Sequence, residues 1–161
     1  MRRPHRWPAA TILAAVGLLT MVAPATAASA QSPAPLGDTG VRIVVRVHGV
    51  RSSDGEVVAV LYGDNPDDFL RAGKRVARVR TPAAMGVVVV ELSAPRSGRY
   101  AIAIYHDENG NRKLDTALTG LPTEGFGFSN NPRIWLRPPR LEDAAFTVDA
   151  RPIAVDIDLR Y

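Results

Sequence analysis

From Val41 onward the chain alternates. In VRIVVRVHGV, Val41, Ile43, Val45 and Val47 fall on one side, and Arg42, Arg46 and His48 on the other. A period of two marks a strand buried on one face. SSDG then turns the chain and EVVAVLYG reads as a second strand, the two forming a hairpin. DNPDDFLRAGK breaks the pattern. Asn65 suits an N-cap, Pro66 the first helical position, Asp67 and Asp68 the positive end of the dipole, and Gly73 a stop. A short helix is predicted over Pro66 to Ala72, with Phe69 and Leu70 facing inward.

Alternation resumes in KRVARVRTP, although Val76 and Val79 are out of phase and call for a bulge or a change of face. GVVVVELSA reads as a buried strand. RSGRYAIAIYHD turns at Ser97-Gly98 and then sorts Tyr100, Ile102 and Ile104 from Ala101 and Ala103. A Pro-Pro break precedes a short strand near Phe146 to Val148. The last segment, PIAVDIDLRY, sets Ile153, Val155, Ile157 and Leu159 against Asp156 and Asp158, a pattern expected inside a sheet. Closely spaced strands and turns, with no long helical period, predict an all-β fold: an antiparallel β-sandwich with one short helix.

The N-terminus stands apart from this pattern. MRRPHR is basic, Ala9 to Ala23 is apolar and uncharged, and PATAASAQS is rich in small residues. That order predicts a secretory signal peptide over 1–30, cut after Ala30 or Ala27, then a flexible leader over 31–40 and one domain over 41–161. The apolar run is shorter than the ~20 residues of a membrane span. No later segment is long enough either, so no span is expected in the mature chain. Without Arg2, Arg3 and Arg6, Lys plus Arg falls from 20 to 17 against 16 acids. The basic balance therefore belongs largely to the leader and gives no reason to expect nucleic acid. The chain has no cysteine, so an exported domain must be held by core packing, with or without a bound ion.

The candidate chemistry lies in DENGNRKLD. Asp107, Asn109 and Asn111 offer side-chain oxygens at alternate positions, the backbone carbonyl of Lys113 adds another, and Asp115 follows. Calcium takes six to eight oxygens, and a curled loop can aim them inward from alternate residues. The fit to an EF-hand is partial: its sixth position should be Gly and is Arg112, and its twelfth should be Glu and is Leu118. Glu124, or else Asp143, is expected to supply the missing carboxylate, for an affinity in the ~10⁻⁴ to 10⁻³ M class. Asn-Gly is equally a tight-turn signal, and the same residues read as a polar turn with nothing bound.

Beside the loop, EGFGFSNNPRIW groups Phe126, Phe128 and Trp135 with Asn130 and Asn131, a set suited to stacking on and hydrogen bonding a sugar or peptide. The same phenylalanines, two apart, also fit a core strand, with Gly125 and Gly127 allowing close backbone approach. His106, just before the loop, reads as a strand-end residue or a member of that surface. The chain lacks a cysteine nucleophile, a Gly-x-Ser-x-Gly elbow, a phosphate loop and a His-Glu-x-x-His pair. Asp107, Asp115 and Glu124 are the only clustered acids available for glycoside hydrolysis.

These residues resemble a family. GRYAIAIYHDENGNRKLDTALTGLPTEGFGFSNN, followed by PPRLEDAAFTV, resembles the exported bacterial proteins known as domain of unknown function 2141. The matching positions are Gly98, Tyr100, Ala101, His106, Asp107, Asn109, Asn111, Leu114, Asp115, Gly120, Pro122, Glu124, Gly125, Gly127, Phe128 and Ser129. Arg112 stands where that family often has Gly. The resemblance implies an immunoglobulin- or prealbumin-like sandwich in the bacterial envelope and carries no activity with it. The loop is also similar to the Asp-x-Asn-x-Asn loops of calcium-stabilised prealbumin-like repeats in surface adhesins. The expectation is an exported, periplasmic or secreted, non-enzymatic module that binds calcium and meets an envelope glycan or protein. A glycan hydrolase using Asp107 or Asp115 with Glu124, or a purely structural envelope module, is the alternative.

Overall fold

The computed structural model describes residues 40–134 and 137–161. The signal peptide and all but the end of the flexible leader therefore lie outside the described residues, as does Trp135. Within them run β1 (Val41–Val50), β2 (Glu56–Tyr62), β3 (Ala77–Pro82), β4 (Gly86–Ala94), β5 (Gly98–Asp107), β6 (Phe126–Phe128), α1 (Leu141–Ala144), β7 (Ala145–Val148) and β8 (Ile153–Asp158). They form two sheets. One has the order β4-β1-β8, the other β3-β2-β5-β6 with β7 also paired to β5.

The main core lies between the sheets. Ile43, Val45 and Val47 of β1 meet Val57, Ala59 and Leu61 of β2 and Ile102 and Ile104 of β5 there. The second sheet is also covered on its outer face. Val58, Val60, Tyr62 and Tyr105 pack against Phe69 and Leu70, and Ala101 and Phe128 pack against Leu141 and Ala144 of α1. This double burial is why VVAVLY is apolar at every position rather than at every other one.

Several expectations need correction. β1 and β2 do not form a hairpin: β1 pairs with β4 and β8, and β2 with β3 and β5, so the SSDG turn passes between sheets. The β1–β8 pairing is parallel, so the sandwich is mainly rather than wholly antiparallel. β8 ends the order of its sheet and is not interior; its alternation reflects burial of one face, and Asp156 and Asp158 face outward. Residues 66–70 form turns, not a helix. Asn65 does cap the Asp67 N–H at 3.1 Å, but Leu70 adopts φ 61°, which stops a right-handed helix from growing. The short helix is α1 instead. Phe69 nevertheless points inward, edge-on to Tyr62 at 5.4 Å. β4 is half-buried: Val88, Val90 and Leu92 enter the core while Val87 and Val89 are about half exposed.

Gly125 and Gly127 do allow close approach. A Cβ on Gly127 would lie 2.7 Å from the Asp158 carbonyl oxygen, and one on Gly125 2.5 Å from the Tyr161 ring. The last residues of the chain thus pack directly over the entry to β6.

Candidate functional site

β5 delivers the loop. Its alternation turns Ile102, Ile104 and His106 toward one face and Ala103, Tyr105 and Asp107 toward the other. From Asp107 the backbone curls so that side-chain oxygens accept successive N–H groups. Asp107 Oδ2 accepts from Arg112 at 2.7 Å, Asn109 Oδ1 from Asn111 at 2.9 Å, and Asn111 Oδ1 from Lys113 at 2.8 Å. The two asparagine bonds, each to the N–H two residues on, are Asx turns, a local preference of Asn, whereas Asp107 reaches across the curl to a residue five further along. The curl needs left-handed backbone at two points, supplied by Gly110 at φ 72° and Arg112 at φ 67°. Arg112 thus takes the conformation that Gly would hold at the sixth position of a calcium loop.

Asp115 closes the ring. The Asn109 amide donates to its Oδ2 at 2.6 Å, and the Asn111 amide donates to both its oxygens at 2.8 and 2.9 Å. Glu124 sits beneath, 4% exposed. Its Oε1 accepts the Glu108 N–H and its Oε2 the Asp115 N–H, each at 3.0 Å. Glu124 is a brace holding both ends of the loop by their backbone.

Asp107 is fully buried, and its Oδ1 has no hydrogen-bond partner. A buried carboxylate oxygen left unpaired costs free energy. The donor set suits a hard cation: carboxylate and amide oxygens, with no sulfur or imidazole. Each Asn carbonyl oxygen accepts only one N–H and keeps a second lone pair. Among the described residues, no three His, Cys, Asp or Glu side chains gather as a metal-binding group. A site here must therefore be built largely from amide and backbone oxygens around Asp107 and Asp115.

His106 takes no part in this ring. It is fully buried, with Nε2 2.8 Å from the Asp54 carbonyl and Nδ1 2.9 Å from the Tyr161 hydroxyl. A carbonyl only accepts, so Nε2 carries a proton, and in the neutral ring Nδ1 accepts from Tyr161. Tyr161 in turn accepts the Arg51 N–H at 3.0 Å, and the Arg51 guanidinium lies 4.2 Å over its ring. Burial raises the Tyr161 hydroxyl above its ordinary value. Arg51 also grips Glu108, whose carboxyl is held below its usual range by that hydrogen-bonded pair. This cluster straps the outside of the loop to the β1–β2 turn. Sequence reading missed Arg51, Glu108 and Tyr161. Glu108 sits within the motif, but Arg51 and Tyr161 are 110 residues apart.

The proposed ligand surface is divided. Phe126 and Phe128 line a cavity of about 470 Å³ on the outer face of the second sheet. The Asn130 amide donates to the Ala145 carbonyl at 2.7 Å, and Asn131 bonds to the backbone of Asp156 and Asp158. Those amides hold loops together. Asp143, the second candidate carboxylate, belongs to α1, where it accepts the Arg140 N–H at 3.1 Å.

The molecule is thus an all-β sandwich with a braced, oxygen-rich loop at the end of a central strand. Over residues 45–156 it matches the family described as uncharacterized protein conserved in bacteria (DUF2141), and the chain belongs to that family. No curated protein and no solved structure matches it. Among the described residues, no helix is long and apolar enough to cross a membrane.

Proposed function

We propose that this protein is an exported, non-enzymatic binding module of the bacterial envelope whose 107–115 loop takes up calcium. The observation that carries the reading is the buried, unpartnered Oδ1 of Asp107 at the head of a loop already curled by two Asx turns and by the bond from the Arg112 N–H to Asp107 Oδ2. Asp107, Asn109, Asn111, the Lys113 carbonyl and Asp115 are the proposed ligands, with Glu124 bracing the site from below. The ion compensates the buried charge of Asp107 and fixes the loop beside the cavity. Export is supported by the basic, apolar and small-residue order of residues 1–30.

Calorimetric titration of the chain beginning at Gln31 tests this. One calcium should bind with Kd of ~10⁻⁴ to 10⁻³ M, and magnesium more weakly, because it demands near-ideal octahedral geometry and dehydrates reluctantly. Asp107→Asn should weaken calcium at least tenfold. Absence of calcium binding at about ten times that Kd range would remove the proposal.

A further inference from the structure

The cavity beside the loop has a chemistry of its own. Its floor is the outer face of the second sheet, with Val60, Ala103, Tyr105, Phe126 and Phe128. Its rim carries Arg78, Arg112, Lys113 and Arg137, and among the described residues no Asp or Glu lines it. Among the described residues none of these four cations lies within ion-pair distance of an acid, whereas Arg46, Arg51 and Arg99 are each paired elsewhere. Two leucines of the loop wall, Leu114 and Leu121, are 36% and 47% exposed. At about 470 Å³ the cavity falls within the ~300–1,000 Å³ range of small-molecule sites.

We propose that this cavity binds a single-chain amphipathic carboxylate, its tail on the aromatic floor and its headgroup among the arginines. An apolar floor selects an alkyl chain by area. A rim of uncompensated cations selects an anion and opposes a cationic ligand. A sugar would need convergent polar groups, yet the nearby Asn130 and Asn131 amides are hydrogen-bonded to backbone. The site does not rest on the calcium reading, since its floor and two of its cations, Arg78 and Arg137, come from outside the loop.

The test is titration of the chain beginning at Gln31 with monomeric dodecanoate, in chelator so that calcium neither contributes nor precipitates the ligand. One dodecanoate should bind, at least tenfold tighter than dodecanol and far tighter than dodecyltrimethylammonium. In the series octanoate, decanoate, dodecanoate, affinity should rise roughly threefold to fourfold per methylene. Arg78→Gln with Arg137→Gln changes only exposed side chains and should weaken dodecanoate about tenfold or more. Ala103→Leu, which fills the floor, should weaken dodecanoate and dodecanol alike. Equal affinity for the alcohol, no chain-length dependence, or no effect of the double arginine variant would each overturn the assignment. So would adsorption to anionic vesicles without uptake of monomeric dodecanoate, which would mark a membrane-contacting surface instead.

Discussion

Glu124 shows how a single carboxylate can organise a loop. Each of its oxygens takes a backbone N–H from a different end of the 107–115 segment, and the side chain is almost fully buried. Glu124→Ala should therefore lower unfolding free energy by about 1–3 kcal/mol in urea titration, with the slope unchanged. An unchanged midpoint would contradict the brace. Arg112 is the opposite case, a bulky residue at φ 67°. Arg112→Gly relieves a left-handed penalty of roughly 1 kcal/mol against some loss of chain entropy, while a β-branched Arg112→Val should be about 1 kcal/mol worse than wild type. Denaturant midpoints of the two variants check this ordering. The alternation of Asp107, Asn109 and Asn111 was legible in the sequence, and local spacing alone gives the Asx turns of Asn109 and Asn111, whereas the reach of Asp107 to the Arg112 N–H depends on the curl. The partners of Glu124 were not, since they are main-chain groups that only the folded loop brings near. The cavity rim was equally hidden: Arg78 and Arg137 look like any solvated charges until the fold sets them around an apolar floor.

The elements were legible where burial is one-sided. β1 stands out by its alternation and β8 by its aspartates, whereas β5, buried on both faces, was read from its apolar residues. Pairing was harder to read, because SSDG carries the same turn signals whether it joins neighbouring strands or crosses between sheets. The helix expected after Asn65 failed beyond its cap because Leu70 turns left-handed to lay the segment across Tyr62. Between β1 and β8, Arg46 bonds Asp156 at 2.6 and 2.7 Å, and His48 approaches it at 2.9 Å. Those contacts, Arg46 first, hold the Asp156 carboxyl well below the ordinary carboxylate range. A carboxyl depressed in the folded chain contributes stability above its unfolded value and loses it as pH falls through the folded one. Melting temperature should therefore drop on acidification below about pH 5, and Asp156→Asn should flatten that limb. An identical acid limb in the variant would contradict the pairing.

At the scale of the molecule, a chain without cysteine relies on a core between two sheets and a second apolar layer outside one of them. The sandwich was foreseeable from strand spacing. The outer layer was legible only piecemeal, at Phe69 and Leu70 and at Phe126 and Phe128, because its members come from a turn, the short β6 and a short helix with no common period. The loop is the seam between scaffold and cavity: Asp107 ends a central strand, and Arg112, Lys113 and Leu114 wall the cavity. A cation held there stabilises the native state by mass action, by about 1–3 kcal/mol at concentrations ten to a hundred times its Kd. The most direct measurement is the melting temperature of the chain beginning at Gln31 with and without 10 millimolar calcium, roughly that excess. Wild type should rise by several degrees, and Asp107→Ala with Asp115→Ala should show no rise from its own baseline. An unmoved wild type, or an equal rise in the double variant, would contradict the account.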